Sequence, residues 1–124
     1  MTDKKILVVD DDDAIRRLEE KILSSQGYQV RTARDGNEAL QALKEGAFHL
    51  ILLDVMMPGM SGFEVGQAVK GDPATAEIPI VFVTAKGDIE AQREGYRSGG
   101  MLYLTKPFTS TKLLSVVKTV VGVE

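Results

Sequence analysis

The sequence predicts an α/β domain of three layers, in which helices cover both faces of a five-stranded parallel sheet. Three short apolar runs without internal polar residues are typical of strands buried on both faces: Ile6–Val9, Leu50–Leu53 and Ile80–Val83. Segments with apolar residues at helical spacing alternate with the strands. Because each crossover between parallel strands lays a helix on the sheet, this alternation predicts both outer layers.

The composition fits a single domain over residues 1–124, since 44% of the residues are hydrophobic and can fill one core. The chain has no cysteine, which excludes disulfides, thiolate zinc sites and cysteine nucleophiles, and we expect a cytoplasmic protein. The net charge is −3, and there is no basic run that would suit nucleic acid. The apolar stretch near the N-terminus is too short to span a membrane.

The first predicted helix follows an acidic group, Asp11–Asp13, which favourably faces the positive end of the helix dipole. Four apolar residues at helical spacing are expected to form its inner face: Ile15, Leu18, Ile22 and Leu23. Gly27 ends this helix. Polar and apolar residues then alternate from Tyr28 to Ala33, which predicts a half-exposed strand near a sheet edge.

The remaining elements continue the alternation. Asp35 is expected to cap a second helix, with Glu38 three residues later and Gly46 just past its end. After the second buried run come a short helix ending near Gly71, the third buried run, a helix over residues 88–98, a weaker strand at Leu102–Thr105 and a last helix containing Leu113–Val121. The expectation is therefore five strands and five helices.

Polar side chains stand at the carboxyl ends of four predicted strands: Asp10 and Asp11, then Asp54, then Thr84, then Lys106. Parallel strands end at one edge of the sheet, where ligands bind, so we expect these side chains to be neighbours. Two unit charges about 4 Å apart repel by roughly 4 kcal/mol at an effective dielectric of about 20, so clustered carboxylates favour a bound cation. Oxygen donors without histidine or cysteine favour a hard ion such as Mg²⁺.

Lys106 adds a positive charge that a metal site alone does not need but that a bound anion does. A carboxylate nucleophile, a divalent ion and a lysine are the components that phosphoryl transfer requires. Thr84 can donate a hydrogen bond to the same group. Taken singly, Asp10–Asp13 is equally consistent with a solvated helix cap and Asp54 with a turn residue; their convergence favours phosphoryl chemistry.

Four segments make the chain resemble the receiver domain of bacterial two-component response regulators, including the stand-alone chemotaxis receiver: Ile6–Asp12, Leu53–Gly62, Thr84–Ala85 and Lys106–Phe108. Their order and spacing are specific, and the resemblance covers nearly the whole chain. It implies the flavodoxin-like strand order 2-1-3-4-5. It also implies a regulatory domain rather than an enzyme, which takes a phosphoryl group from a histidine kinase or histidine phosphotransfer protein and signals to a downstream protein.

The resemblance assigns roles to the polar residues. Asp54 would be the phosphoacceptor, and Lys106 would pair with a phosphoryl oxygen. Asp11, Asp54 and the backbone carbonyl of Met56 would bind Mg²⁺ directly, while Asp10 would assist through water. These roles make Asp54 both the nucleophile and a metal ligand.

The resemblance further implies a cis peptide bond before Pro107 and a switch made of Thr84 and Tyr103. Phosphorylation would draw the Thr84 hydroxyl toward the new anion and let Tyr103 turn inward. The output surface would be the helix over residues 88–98, the fifth strand and the last helix. This readout is a population shift between two states rather than a new fold.

Two parts of the sequence match the family pattern less closely. Gly100-Met101-Leu102 stands where the family often has a small and an acidic residue, which places two apolar side chains near the expected output surface. The chain is therefore expected to be either a monomer that packs these side chains internally or a phosphorylation-dependent dimer.

Met56 and Lys86 occupy the positions that influence the lifetime of the phosphoryl group. Neither suits the orientation of an attacking water, so we predict a long-lived acyl phosphate.

Three other functions are consistent with parts of the sequence. A receiver-like interaction module would never be phosphorylated, although the acidic set is complete here. A Mg²⁺-dependent phosphatase of the haloacid-dehalogenase type needs a second acid where Met56 stands. A flavodoxin-like flavin or nucleotide carrier needs a glycine- or hydroxyl-rich loop where four aspartates stand. The receiver itself would be a stand-alone regulator, a relay carrier or an excised domain.

Overall fold

Five strands and four helices form the part of the chain that the structure, a computed structural model, describes: residues 3–85 and 102–122. In chain order these elements are β1 (Lys5–Val9), α1 (Asp13–Ser25), β2 (Gln29–Ala33), α2 (Gly36–Glu45), β3 (Leu50–Asp54), α3 (Gly62–Gly71), β4 (Ile80–Ala85), β5 (Leu102–Lys106) and α4 (Ser110–Val121). The helix predicted over residues 88–98, together with Lys86, Gly100 and Met101, lies outside the described residues.

The five strands form one sheet in the order β2-β1-β3-β4-β5, and each neighbouring pair is parallel. This confirms the strand order that the receiver resemblance implied. The alternating segment at Tyr28–Ala33 forms β2 at one edge of the sheet, as predicted. The continuous apolar runs form β1, β3 and β4 in the interior of the sheet, where strands have neighbours on both sides.

Two apolar layers separate the sheet from its helices, which confirms the three-layer architecture. On one face, buried residues of α2 and α3 such as Ala39 and Val65 pack with Leu53 and Phe82 of the sheet. The other face has its own core: Ile6, Val8, Leu23, Tyr28, Leu50, Leu52, Val81, Val83, Leu104, Leu113, Val116 and Val117. Among the described helices, none combines the length and the apolar character that crossing a membrane requires.

Each described helix begins with a side-chain cap, and the capping residues are Asp12, Asp35, Ser61 and Thr109. Asp12 Oδ1 accepts from the amides of Ala14 and Ile15 at 2.9 and 3.1 Å, and the predicted cap Asp35 accepts from Glu38 at 2.8 Å. Such a cap stabilises a helix by about 1 kcal/mol. Because the caps of α1, α3 and α4 lie shortly after β1, β3 and β5, they also fix the loops at the carboxyl edge of the sheet.

The inner face of α1 differs from the prediction in one position. Leu18 was expected to face the sheet, but 48% of it is exposed, whereas Glu19 is only 1% exposed. One oxygen of this carboxyl group, Oε1, has no hydrogen-bond partner among the described residues. Leu23 is fully buried, so it determines which face of α1 is turned toward the sheet. A residue four positions earlier in a helix lies on the same face. That residue is Glu19, so packing overrides its polarity.

Burial raises the pKa of Glu19 to about 8, because the charged form loses its hydration. The neighbouring carboxylate of Asp10 raises the pKa further, and the ammonium of Lys106 opposes the shift. Glu19 is therefore largely protonated at neutral pH. An ionised carboxylate without a partner is far more costly to bury than a neutral carboxyl group.

We predict that Glu19→Gln stabilises the protein by an amount that grows with pH. In the unfolded chain the carboxyl group ionises with an ordinary pKa of about 4.3, so above that pH folding of the wild type takes up a proton. The contribution of Glu19 to the free energy of unfolding is therefore fully present below pH 4.3. It is lost as the pH rises toward the pKa of about 8 that Glu19 has in the folded protein. The loss amounts to about 1.4 kcal/mol per pH unit.

Urea unfolding of wild type and Glu19→Gln between pH 5 and pH 8 measures this difference, which should reach a few kcal/mol at the upper end. Glu20→Gln is the matched control, because Glu20 is the next residue of α1 and is less buried. It should show little change with pH. A stability difference for Glu19→Gln that is constant from pH 5 to pH 8 would contradict the burial of a protonated Glu19.

Candidate functional site

Side chains from three strands meet at the carboxyl edge of the sheet, on the face covered by α1 and α4. Lys106 at the end of β5 places its Nζ 3.1 Å from Asp54 Oδ1, to which it donates a hydrogen bond. The same Nζ is 3.2 Å from Asp10 Oδ2, just after β1. Since β4 lies between β5 and β3, the lysine side chain reaches across one strand to Asp54, and Asp10 lies one strand further along the sheet.

Three carboxylates form a cluster around this ammonium. One oxygen from each of Asp10, Asp11 and Asp54 lies within 4.8 Å of the others. Asp10 and Asp54 are only 1% and 4% exposed, while Asp11 is exposed to solvent. The cluster is therefore buried on the sheet side and open on the side of Asp11.

The donors in this cluster fit a hard divalent cation. All three are carboxylate oxygens, which Mg²⁺ prefers. Although Asp10 Oδ2 is within ion-pair distance of Lys106, the angles do not make a hydrogen bond, and this buried oxygen has no hydrogen-bond partner among the described residues. One ammonium against three carboxylates leaves a negative excess that a divalent ion would compensate.

The charges in the cluster and its burial shift the pKa values of both Asp54 and Lys106. Burial raises the pKa of Asp54 to about 6, the carboxylate of Asp10 adds to this, and Lys106 opposes it. Burial by itself lowers the pKa of Lys106, but the carboxylates of Asp54 and Asp10 outweigh burial, so the net shift is upward. At pH 7 the lysine is thus charged and Asp54 is largely ionised.

The loop after β3 folds back tightly beside Asp54. The amide of Val55 donates to Val83 of β4 at 3.1 Å, and the amide of Gly62 donates back to Val55 at 3.0 Å. A Cβ on Gly62 would overlap the backbone oxygen of Asp54, so only glycine permits this close return. Met56 projects from the loop and is 75% exposed. Backbone hydrogen bonds at Val55 and Gly62 thus fix the two ends of the loop, while the side chain of Met56 extends into solvent.

The two predicted switch residues lie on the other face of the sheet. Thr84 is 3% exposed and follows Val83, the register partner of Asp54. Because side chains alternate along a strand, Thr84 shares its face with Phe82, whose ring packs edge-on against Phe63 at 5.1 Å between centroids. Tyr103 is the register partner of Phe82 and stacks on it at 6.0 Å.

The structure therefore sorts the predicted residues into two groups. Asp10, Asp11, Asp54 and Lys106 are brought together in one cluster. Thr84 and Tyr103 share the opposite face of the sheet, on the neighbouring strands β4 and β5. The peptide bond between Lys106 and Pro107 is cis, as the resemblance implied.

Sequence reasoning missed one polar residue beside the cluster. The guanidinium group of Arg16 donates through Nη1 to the backbone carbonyl of Asp10 at 2.9 Å. It also donates through Nη2 to the carboxylate of Asp13, three residues earlier in the same helix. The spacing of three between Asp13 and Arg16 was a visible signal for that ion pair, but the sequence contained no sign of the contact to Asp10.

Known proteins are similar to this chain in both sequence and fold. The response regulator PleD from Caulobacter vibrioides is 44% identical over 115 residues, which cover 93% of this chain and 25% of PleD. The phosphate regulon transcriptional regulatory protein PhoB from Pseudomonas aeruginosa is 38% identical over 97% of this chain and 52% of PhoB. The chain thus spans about a quarter to a half of the length of these relatives.

Among solved structures, the chemotaxis response regulator CheY4 of Vibrio cholerae matches with a TM-score of 0.91 and 38% identity, covering 96% of this chain and 99% of CheY4. The response regulator receiver domain family matches residues 6–118, most of the chain and all the polar residues of the cluster. The chain therefore belongs to the response regulator receiver domain family, the phosphoacceptor switches of two-component systems.

Proposed function

We propose that this chain is a Mg²⁺-dependent phosphorylation switch that accepts a phosphoryl group on Asp54 from a histidine kinase or a histidine phosphotransfer protein. The observation that carries this proposal is the position of Asp54, which is buried and hydrogen-bonded to Lys106 within a cluster of three carboxylates. A nucleophile, a fixed cation and an excess of carboxylate oxygens are thereby present at one point.

In the proposed reaction, a carboxylate oxygen of Asp54 attacks the phosphorus atom of a phosphohistidine. The oxygen–phosphorus bond forms as the phosphorus–nitrogen bond to the imidazole breaks, and the imidazole takes up a proton. Asp54 is largely ionised above its pKa of about 6, so the nucleophile is available at neutral pH. Lys106, already 3.1 Å from Asp54 Oδ1, would turn to an oxygen of the transferred group.

Asp10, Asp11 and the backbone carbonyl of Met56 complete the proposed site by holding the metal, with Asp10 acting through water. When bound, a divalent ion would offset the negative charge that gathers between the carboxylates and the transferred group. The negative excess of the cluster supports this assignment, because Lys106 alone leaves it uncompensated.

The proposed output depends on the residues of the opposite face. Thr84 would donate a hydrogen bond to the phosphoryl group, and Tyr103 would change its packing on Phe82 in response. The surface of β5 and α4, with the helix predicted over residues 88–98, would then bind a downstream protein. Such a change would be a shift in population between two states of the same fold.

Treatment with acetyl phosphate tests the acceptor directly. We expect wild type to gain the mass of one phosphoryl group when Mg²⁺ is present, and the adduct to be absent in Asp54→Asn, which keeps the side-chain volume but removes the nucleophile. Intact-mass spectrometry measures both. Asp3→Asn, an exposed carboxylate before β1, is the control and should be modified as wild type is. An adduct that persists in Asp54→Asn, or none at all in wild type, would favour the interaction module that is never phosphorylated.

Divalent cation should stabilise the fold through the same cluster. At a concentration ten times its Kd, an ion that binds only the folded state stabilises by about 1.4 kcal/mol, which in a domain of this size raises Tm by about 3–6 °C. We expect this increase with MgCl₂ in wild type, its reversal on chelation, and most of it to be missing in Asp11→Asn. Thermal melts at matched ionic strength measure it. An equal Mg²⁺ effect in wild type and Asp11→Asn would remove Asp11 from the ligand set.

The exposed side chain of Met56 predicts a slow loss of the phosphoryl group. A thioether on this side chain, 75% exposed, offers no strong hydrogen-bond acceptor with which to orient an attacking water. We expect Met56→Asn to shorten the half-life of the phosphorylated form several-fold, because an amide oxygen can accept from that water. Decay of the mass adduct after donor removal measures this, with Met56→Leu as the control of equal size. Equal half-lives for Met56→Asn and Met56→Leu, or wild-type decay within seconds, would contradict the prediction.

A further inference from the structure

Arg16 makes two contacts beside the acidic cluster, although it is neither a member of the cluster nor part of the proposed phosphoryl-transfer site. It lies in the first turns of α1, and only 15% of its side chain is exposed. Its guanidinium group turns back toward the loop between β1 and α1, where Nη1 donates to the carbonyl of Asp10 at 2.9 Å. The second arm is held by the carboxylate of Asp13, and this ion pair lowers the pKa of Asp13. Arg16 thus joins the start of the helix to the end of β1.

The carbonyl that accepts from Arg16 belongs to the peptide group that joins Asp10 to Asp11. Because a peptide group is planar, holding its oxygen also fixes the direction in which the chain enters Asp11. The next peptide group is held as well, since the amide of Asp12 donates to Asp10 Oδ1 at 2.9 Å. Both peptide planes that flank Asp11 are therefore fixed.

Asp11 itself needs this support. It is the exposed member of the three-carboxylate cluster, whereas Asp10 and Asp54 are buried and paired with Lys106. Three further aspartates flank it in sequence, and mutual repulsion among Asp10–Asp13 favours a more open loop. The guanidinium group of Arg16 bridges the carbonyl of Asp10 and the carboxylate of Asp13, and this bridge is well suited to oppose that opening.

We propose that Arg16 is a positioning residue which holds Asp11 in place for divalent-cation binding. This inference rests on the proposed function and deepens it. Arg16 touches neither the metal nor the phosphoryl group in this account; it acts through the peptide plane between Asp10 and Asp11. Removing it should weaken metal binding without removing a ligand, as is usual for groups that orient ligands.

The sign of the effect separates positioning from simple charge. A guanidinium near the cluster repels a dication, so loss of its charge alone would tighten Mg²⁺ binding. Loss of positioning would weaken it. Arg17 is the matched control, because it is the next residue, carries the same charge and lies exposed on the same helix. Arg17→Ala removes a positive charge without touching the Asp10 carbonyl contact.

Calorimetric titration of Mg²⁺ into the three proteins is the experiment. We expect Arg16→Ala to bind about tenfold more weakly than wild type, and Arg17→Ala to bind equally or slightly more tightly. Phosphorylation by acetyl phosphate should then need more Mg²⁺ in Arg16→Ala but approach the wild-type rate at saturating Mg²⁺, because the nucleophile and Lys106 are unchanged. Unchanged or tighter Mg²⁺ binding by Arg16→Ala would overturn the inference.

Arg16→Lys serves if the alanine variant melts too low to be titrated. Lysine keeps the charge but lacks the planar guanidinium group that holds both the Asp10 carbonyl and the Asp13 carboxylate, so weaker Mg²⁺ binding is again expected. Binding of Mg²⁺ by Arg16→Lys with wild-type affinity would overturn the inference.

Failure of the proposed function is distinguishable from these results. In that case wild type would bind Mg²⁺, and respond to Arg16 substitution, without forming an adduct on Asp54.

Discussion

The ammonium group of Lys106 between Asp10 and Asp54 holds together the edge of the sheet at which the chain's polar residues meet. Two carboxylates that are almost fully buried lie within reach of each other, and in the absence of a cation each would raise the cost of ionising the other. Lys106 offsets part of this cost, and its own charged form is favoured in return. The strand order matters here, because β5 lies only two places from β3, which is within the reach of a lysine side chain.

The compensation is incomplete, and its incompleteness is chemically useful. A cluster of three carboxylates against one ammonium attracts a divalent ion, whereas a fully neutralised cluster would not. The same excess destabilises the folded chain, and it helps to keep Glu19 protonated, since this fourth carboxyl group is buried within electrostatic reach of Asp10 and Asp54. The site thus conforms to the general conflict between the stability of a fold and the charge arrangement that a function needs.

The sequence predicted the acidic cluster because three of its members follow apolar strands, and the ends of parallel strands converge whatever their order. It also predicted the architecture, since the continuous apolar runs fit no other layer arrangement as well. It failed at Glu19 because polarity alone places a glutamate outside, while the turn of α1 is set by Leu23 and its packing. It failed at Arg16 because the acceptor is a backbone carbonyl, which every residue carries and no side-chain pattern reveals.

The division of residues between the two faces of the sheet constrains how a signal would travel from Asp54 in the proposed switch. Asp54 and Lys106 lie on the face of α1 and α4, whereas Thr84 and Tyr103 lie on the face with Phe82. A change at the proposed acceptor would pass from one face to the other at the carboxyl edge of the sheet, where the Thr84 hydroxyl would meet the phosphoryl group, and two strands offer short paths for it. One is β4, where Val83 pairs with Asp54 and precedes Thr84.

The second path is β5, where Lys106 and Tyr103 lie three residues apart on one short strand and face opposite sides. Phe82 is next to the final residue of both paths. It lies on the same face as Thr84, two positions earlier in β4, and its ring stacks on Tyr103. Phe82 is fully buried and also packs against Phe63 of α3, so it has little freedom to move. A rigid ring at this point would make Tyr103 respond by changing its own rotamer rather than by displacing the core, which favours a local two-state change over a distortion of the fold.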